Sequence, residues 1–295
     1  MLSTESAISR LRRDLVLGAV LQAALFAAAL ASLVVLPLVL PQVNSSIILL
    51  TVFVVWVALM YNSAKTSRLS ADAPSLIASG QFEEAEGQIE LVLSRFSMFR
   101  GVKLQAAHQL AVLRHAQKRY RESAALCRAL LAQRGRADSP MSRSVRLLMA
   151  DTMLELDDLR GTYDALSGLY QQRLALPEVL NLLLAQLDYE ARVGAWDRMM
   201  NEVMSKVQLA ELMPPPASAR TQALLALAAK RIGRADFCEW LRSRVELLAD
   251  RNPLTMQRPI LAELWPAAPT PRTTDGNAEQ PQDATISDAS RSTPG

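Results

Sequence analysis

The sequence predicts an all-α protein in three parts: a two-helix transmembrane hairpin, an α-solenoid of about five helix pairs and a disordered C-terminal tail. Three observations lead to this fold class. Aromatic residues make up 5% of the chain and there are 11 glycines among 295 residues, a composition that favours helices over sheets. A stretch of fifty residues carries no charged side chain. After that stretch, a pattern of apolar helices and turns recurs at intervals of 37–39 residues.

The first part is predicted to be a polar cytoplasmic lead, residues 1–14, followed by the transmembrane hairpin, residues 15–64. Leu15–Ala64 contains no Asp, Glu, Lys or Arg, and its one polar, turn-like interruption is Pro41–Ser46. A helix needs roughly 20 apolar residues to cross a bilayer, and only helices or closed barrels satisfy their backbone polar groups in lipid. We therefore expect two antiparallel spans joined by a tight loop.

The charges that flank the two spans predict their orientation. Arg10, Arg12 and Arg13 precede the first span, and Lys65 and Arg68 follow the second. Because Lys and Arg near spans remain on the cytoplasmic side, the N-terminus and the C-terminal domain are both expected in the cytoplasm. A cleaved signal peptide is the alternative for the first span, but its apolar region would be only about 7–15 residues long and no second span would follow.

Alanine recurs at every fourth position of the first span, at Ala19, Ala23, Ala27 and Ala31. On a helix these side chains form a small-residue face along which another helix can approach closely. The bulky second span is the expected neighbour of this face, and a second copy of the chain is the alternative.

Residues 65–265 contain an internal repeat. Each unit has one anchor residue directly after a predicted turn, and these anchors are Phe82, Tyr120, Leu159, Trp196 and Ala235. Each unit is a pair of amphipathic helices that cannot bury its apolar face alone, so neighbouring pairs are expected to stack into a continuous core. Tyr120 and Trp196 are predicted to be largely buried between adjacent pairs.

Helix boundaries and the end of the repeat are also marked in the sequence. Ser139 followed by Pro140, and later Pro177, predict helix starts, and Pro214–Pro216 predicts a break between the fourth and fifth units. Residues 266–295 are rich in Pro, Thr, Ser, Asp and Gln. Such a segment cannot bury enough apolar surface to fold, so we expect a disordered tail.

The units resemble the tetratricopeptide repeat (TPR). Gly80–Ala85 matches the turn and the start of the second helix in that family, and four residues of the second unit fall at family positions: Leu110, Ala111, Tyr120 and Ser123. The period is longer than the family's repeat of about 34 residues, and Met199 replaces a small residue in the fourth unit. The resemblance implies a solenoid whose first helices line an inner groove for a protein partner.

In the register of this resemblance, seven polar residues lie along the groove: His108, His115, Asp151, Glu155, Asp188, Arg192 and Lys230. They are expected to hydrogen-bond an extended or helical peptide, and an ordinary solvated helix face is the alternative. The two histidines are seven residues apart, whereas a pair of metal ligands on a helix is commonly four apart and needs further donors. No metal and no cofactor are expected.

The charge balance and the cysteines exclude other classes of protein. There are 32 Lys and Arg against 29 Asp and Glu, which is too balanced for a nucleic-acid binder. Cys127 and Cys238 are expected to be reduced core residues. A basic cluster between Arg114 and Arg136 either lies on anionic lipid headgroups or forms surface ion pairs with nearby glutamates such as Glu86.

The sequence contains no Gly-rich phosphate loop, no Ser flanked by glycines as in a hydrolase elbow and no Cys pair at metal-ligand spacing. We therefore expect a non-catalytic, membrane-anchored TPR-like scaffold or adaptor that binds a protein partner on the cytoplasmic side. A membrane-shaping or assembly protein acting through the hairpin, and an enzyme with its site in the groove, are the alternatives. The order of parts resembles bacterial inner-membrane TPR proteins, which implies an integral protein of that membrane.

Overall fold

The computed structural model describes residues 3–31, 45–69, 71–95, 97, 99–133 and 139–265, with the backbone alone at 45–48, 67 and 69. The described residues form helices and no strand, in agreement with the composition. Residues 41–44 of the predicted loop at Pro41–Ser46 lie outside the described residues. The predicted tail, residues 266–295, lies entirely outside them.

The chain begins with two long helices, α1 (Thr4–Leu30) and α2 (Ser45–Leu69). Shorter helices follow: α3 (Ala73–Ala78), α4 (Phe82–Ser94), α5 (Arg100–Ala116), α6 (Tyr120–Leu131), α7 (Pro140–Glu155), α8 (Leu159–Tyr170), α9 (Leu176–Arg192), α10 (Trp196–Met200), α11 (Val203–Glu211), α12 (Pro215–Arg231), α13 (Ala235–Leu248), α14 (Arg251–Gln257) and a 3₁₀ helix, Pro259–Leu264. Residues 71–265 are called the arm below.

The two long helices are apolar and exposed. Thr4–Leu30 and Leu49–Thr66 are each long and apolar enough to cross a bilayer. Only 11% of the most apolar window of each helix is buried within the protein. A core helix of a soluble protein would be mostly buried, so the apolar windows of these helices are not part of such a core.

The predicted polar lead is the first part of α1, because that helix starts at Thr4 and runs without a break into the apolar stretch. Ser3 caps the helix by accepting a hydrogen bond from the amide of Ser6. One turn apart, Ala7 and Leu11 are 3% and 2% exposed and belong to a hydrophobic cluster built mainly by α4, α5 and α6. Burial of this face explains why the lead is helical.

The alanine face of the first span does not pack on α2, which corrects the prediction. Its four alanines are exposed: Ala19, Ala23, Ala27 and Ala31. The face of α1 turned towards the arm continues to Gly18, and Leu25 and Ala29 border a groove shared with α2. Successive residues of a helix are rotated by about 100°, so docking of Ala7 and Leu11 on the arm turns the alanines away from α2.

The turns that precede the anchor residues are built alike. In each of them the residue two positions before the anchor has a left-handed backbone: Gly80 (φ 79°), Lys118 (61°), Asp157 (59°), Gly194 (71°) and Gly233 (81°). The next amide donates to the carbonyl five residues earlier, as from Gln81 to Leu76 (2.9 Å) and from Arg119 to Arg114 (2.8 Å). This is the hydrogen bond of a Schellman helix end. The predicted repeat is therefore present in the local backbone geometry.

One row of helices, called the inner row below, consists of α3, α5, α7, α9 and α12, each of which contacts the next. The remaining helices of each unit pack against this row, and buried side chains form three successive hydrophobic clusters along the arm. The two predicted helix starts are confirmed: Ser139 caps α7 with Pro140 at its first position, and α9 starts at Leu176, one residue before Pro177. The predicted break at Pro214–Pro216 is also present, because α11 ends at Glu211 and α12 starts at Pro215.

Two expectations about the anchors need correction. Tyr120 and Trp196 are half-buried rather than enclosed between helix pairs, since each is the first residue of its helix and its ring lies across the turn. The Tyr120 ring meets His115 edge-on at 5.3 Å, and the Arg231 guanidinium lies 5.7 Å from the Trp196 ring centre. The helix expected after Trp196 is also broken, at Glu202, whose φ is 51°.

Candidate functional site: the inner groove

A groove follows the inner row from α3 to α12. Its first segment, of about 540 Å³, lies between α3, α5 and α7 and is lined by Ile77 and Met141 among others. Its second segment, of about 440 Å³, lies between α5, α7 and α9. His108, Val112 and Ser144 line both segments, so the two form one continuous open surface.

The wall of the second segment is largely apolar. Its apolar side chains come from successive helices of the inner row: Val112, Leu147, Leu148, Leu184 and Ala185. Six polar residues share this wall: His108, Ser144, Asp151, Glu178, Asn181 and Arg220. The charged ones have partners within the protein, because Asp151 lies against His115, Glu178 pairs with Arg143 and Arg220 pairs with Asp188. Burial lowers the pKa of His108, which favours its neutral form at physiological pH. This part of the groove therefore matches an amphipathic segment better than a strongly charged one.

The groove has a different character at α12, where it ends in a compact network of ion pairs. Asp188 of α9 is 2% exposed. One of its carboxylate oxygens lies against the Arg220 guanidinium, and the other is 3.3 Å from Nε of Arg258. Arg258 also contacts Glu155, with 2.6 Å between Nη2 and Oε1. Two carboxylates and two guanidinium groups thus neutralise each other inside the protein.

The protonation of this network follows from its geometry. Burial alone raises the pKa of Glu155, but the hydrogen bond from Arg258 and the charges of Arg258, Arg192 and Arg220 outweigh burial and lower it. Burial and the charge of Arg258 lower the pKa of Arg220 to about 10. Both groups are consequently charged at neutral pH. Their charges are balanced by the other members of the network, so they need no ligand.

Arg258 reaches this site because the end of the described chain folds back over α12. Arg251 donates to the carbonyl of Trp265 at 2.6 Å, and the Trp265 indole donates to Glu246 at 2.8 Å. Lys230, predicted to bind a partner, donates instead to the backbone carbonyl of Glu263. The end of the groove at α12 is therefore occupied by the protein's own C-terminal segment.

The remaining predicted residues lie along the edge of the groove. Nε2 of His115 is 3.2 Å from a carboxylate oxygen of Asp151, which also lines the second segment. Arg192 pairs with Asp157 at 3.1 Å, and the Asp157 side chain is 80% exposed. The structure thus groups Glu155 and Asp188 in one network and brings His108 and Asp151 to the second segment of the groove. Arg192, paired with Asp157, is not part of either group.

Sequence reasoning missed Ser144, Leu148 and Asn181 in the open groove, and Arg220 and Arg258 in the network. Ser144 and Leu148 precede Asp151 by seven and three residues, and Asn181 precedes Asp188 by seven. This helical spacing could have identified them. No comparable signal exists for Arg258, which lies 70 residues from Asp188.

The basic cluster is only partly a surface feature. Arg114 is fully buried, with Nη2 2.9 Å from Oε1 of Glu86 and Nε 3.4 Å from Glu122. Glu86, expected to form an ion pair at the surface, is itself only 7% exposed, because it pairs with Arg114 across α4 and α5. Arg128 is exposed, whereas the predicted members at 134 and 136 lie outside the described residues.

The described residues contain no group of three or more His, Cys, Asp or Glu positioned to hold a metal ion. Cys127 is a free, buried thiol, and burial raises its pKa to about 12, so it stays protonated. Comparison with protein-family models, with curated proteins and with solved structures finds no match to this chain.

Proposed function

We propose that this protein is a membrane-anchored, TPR-like scaffold or adaptor without catalytic activity, which holds an amphipathic segment of a protein partner in the open part of its groove. The observation that carries this proposal is the contrast between the two ends of the groove. The part lined mainly by α5, α7 and α9 is open and mostly apolar, and the charged residues that line it are paired within the protein. The ion-pair network that Arg220 of α12 shares with Asp188 is filled by Arg258. Helix-in-groove recognition uses an apolar helix face in a groove of this kind.

The repeated turn geometry and the inner row support the TPR-like part of the proposal, because both describe stacked helix pairs with one helix of each pair on the same side. The two exposed apolar helices support membrane anchoring. The basic residues that flank them support a cytoplasmic arm, and the order of parts supports the bacterial inner membrane as its location. Anchoring would raise the partner's effective concentration at the bilayer without tight binding.

We expect the arm and the N-terminus to lie on the same, cytoplasmic side of the membrane. In a chain with Cys127→Ala and Cys238→Ala, a membrane-impermeant thiol reagent applied to intact cells should label Ser45→Cys but not Ser70→Cys. Permeabilised cells serve as the control, where both positions should react. Labelling of residue 70 in intact cells would contradict the orientation, and extraction of the protein by alkaline carbonate would contradict the anchoring.

We expect bulky charge in the open groove to abolish partner capture. The variant Ser144→Arg/Asn181→Arg places two long side chains in the second segment, where apolar contacts carry recognition. The matched control, Ser167→Arg/Gln171→Arg, makes the same kinds of change in α8 and at the residue that follows it, neither of which lines the groove. Partners captured by crosslinking in membranes from cells that express each full-length variant are then compared. Equal capture by the two variants would remove the groove from the proposal and favour the membrane-shaping alternative.

A further inference from the structure

The end of the groove at α3 lies beside the two long apolar helices. The last residue of α2 is Leu69, and α3 begins at Ala73. Pro74, which lines the first segment of the groove, is five residues beyond Leu69, so their Cα atoms are at most about 17 Å apart. α2 also contacts α4 and α5, and Thr66, near its end, is buried. The first segment is therefore close to the end of α2.

α1 places the first segment at the same level from a second side. Lys103 of α5 lies 2.8 Å from Asp14, the last charged residue before the charge-free stretch of α1. Gln105, which lines the first segment, is only about 3 Å farther along the axis of α5. In a helix that crosses a bilayer, the change from charged to uncharged residues marks the entry into the hydrocarbon. The first segment is therefore close to the level at which α1 would enter a membrane.

The two segments of the groove differ in charge. Among the described residues that line the first segment there is no Asp, Glu, Lys or Arg, and burial favours the neutral form of His108 there by lowering its pKa. The second segment is lined by Asp151, Glu178 and Arg220. A chain that leaves a bilayer changes in the same direction, since charged residues become common outside the hydrocarbon. A segment that directly follows a span would match this gradient by entering the groove at α3.

The groove also sets the length of the segment that fills it. From α3 to α9 the inner row contains three steps between neighbouring helices, each of about 8–10 Å. A segment that follows the groove over these steps covers about 24–30 Å, which is the length of a helix of about 16–20 residues. One face of such a helix would be buried on apolar side chains that include Ile77, Met141 and Leu148.

We propose that the occupant of the groove is the juxtamembrane helix of an integral membrane protein, which leaves the bilayer beside α2, enters the groove at α3 and ends at α9. The inference deepens the proposed function and rests on it, because it names the class of partner. A partner anchored in the same membrane reaches the groove at a raised effective concentration, so a modest contact area is sufficient. A helix of a soluble protein is the competing occupant.

Crosslinks mapped from two positions in the groove test this inference. In full-length protein expressed in cells, p-benzoylphenylalanine replaces either the exposed Ala78 of the first segment or the exposed Asn181 of the second. Gln171, which is exposed but does not line the groove, is the control position. Intact membranes are irradiated, and the crosslinked residues of the partner are identified by mass spectrometry.

Both groove positions should crosslink the same membrane-spanning protein, and the control position should not. The partner residue joined to position 78 should lie within about ten residues of a span, because the first segment is near the end of α2. The residue joined to position 181 should lie about 16–20 residues farther from that span, as the length of the groove requires.

Crosslinks to a soluble protein, or to residues far from any span, would overturn the juxtamembrane helix but leave a groove-binding scaffold in place. The opposite order along the partner, with position 181 nearer the span, would overturn the entry at α3. Crosslinking at neither groove position above that of position 171 would contradict the proposed function itself. The two proposals therefore fail in different ways.

Discussion

Replacing Lys103 by Met is expected to lower the free energy of unfolding by about 3–5 kcal/mol, because removal of one partner leaves the other charge of a buried pair uncompensated. Lys103 is 1% exposed and pairs with Asp14 of α1. Its ammonium group also donates to the carbonyls of Val92 (3.3 Å) and Leu93 (2.8 Å) and to that of Arg95, at the C-terminal end of α4. These carbonyls have no partner within the helix, so the Lys103 ammonium satisfies them.

Thermal unfolding of the full-length protein in detergent, followed by circular dichroism, measures this effect. The melting temperature should fall by roughly 6–20 °C for Lys103→Met. Arg128→Met, at an exposed position of α6, should shift it little. The double variant Asp14→Leu/Lys103→Met removes both charges and should melt above the single variant. A single variant that melts like the wild type would show that the pair does not hold α1 on the arm.

Replacing Asp188 by Ala is expected to destabilise the protein by a similar amount, about 3–5 kcal/mol. The change leaves Arg220 and Arg258, whose side chains are 18% and 10% exposed, without their shared carboxylate. Asp157→Asn is the matched control, because it removes the charge of a pair with Arg192 in which the Asp157 side chain is 80% exposed, an arrangement worth about 0–1 kcal/mol. Asparagine also tolerates the left-handed backbone of residue 157 (φ 59°), so the control adds no backbone strain.

Thermal unfolding of the full-length protein again provides the measurement. Asp188→Leu/Arg258→Met should recover part of the lost stability, since it replaces charges by apolar groups of similar size. If Asp188→Ala and Asp157→Asn melt alike, Asp188 lies on a solvated helix face, which was the alternative in the sequence analysis, and the network is not structural. Acid should act in the same direction as Asp188→Ala: the lowered pKa of Glu155 stabilises the fold above its ordinary value of 4.5, and this stabilisation is lost as the pH falls through the folded-state pKa.

The repeat and its turns could be predicted from the sequence because both are local. The anchor after each turn and the left-handed residue two positions before it recur at nearly constant spacing, even where Lys118 and Asp157 replace glycine. Ser139 and Pro140 marked a helix start for the same reason, since capping involves neighbours within one turn.

The sequence could assign the groove residues to a helix face but could not show whether their side chains are exposed or buried in ion pairs. The register of the TPR resemblance placed Asp188 on the inner face of its helix, whereas its burial depends on Arg258, which no local pattern connects to it. The sequence likewise did not predict which side of α1 faces the arm. Four regularly spaced alanines suggested a contact face, but docking of Ala7 and Leu11 on distant helices determines which side of α1 is covered.

The contacts of α1 and α2 with the arm have a consequence for the direction in which the groove points. Both helices touch α4 and α5, and α1 is held there by Ala7, Leu11 and the pair of Asp14 with Lys103. If the two helices cross the membrane as proposed, an arm mounted on them in this way cannot swivel as it would on a flexible linker. The groove then keeps one heading and one height relative to the lipid surface. Because the arm has then already lost this rotational freedom, binding to the proposed partner costs less entropy. The advantage applies only if the partner's binding segment emerges from the bilayer, or approaches it, at the height and angle of the groove.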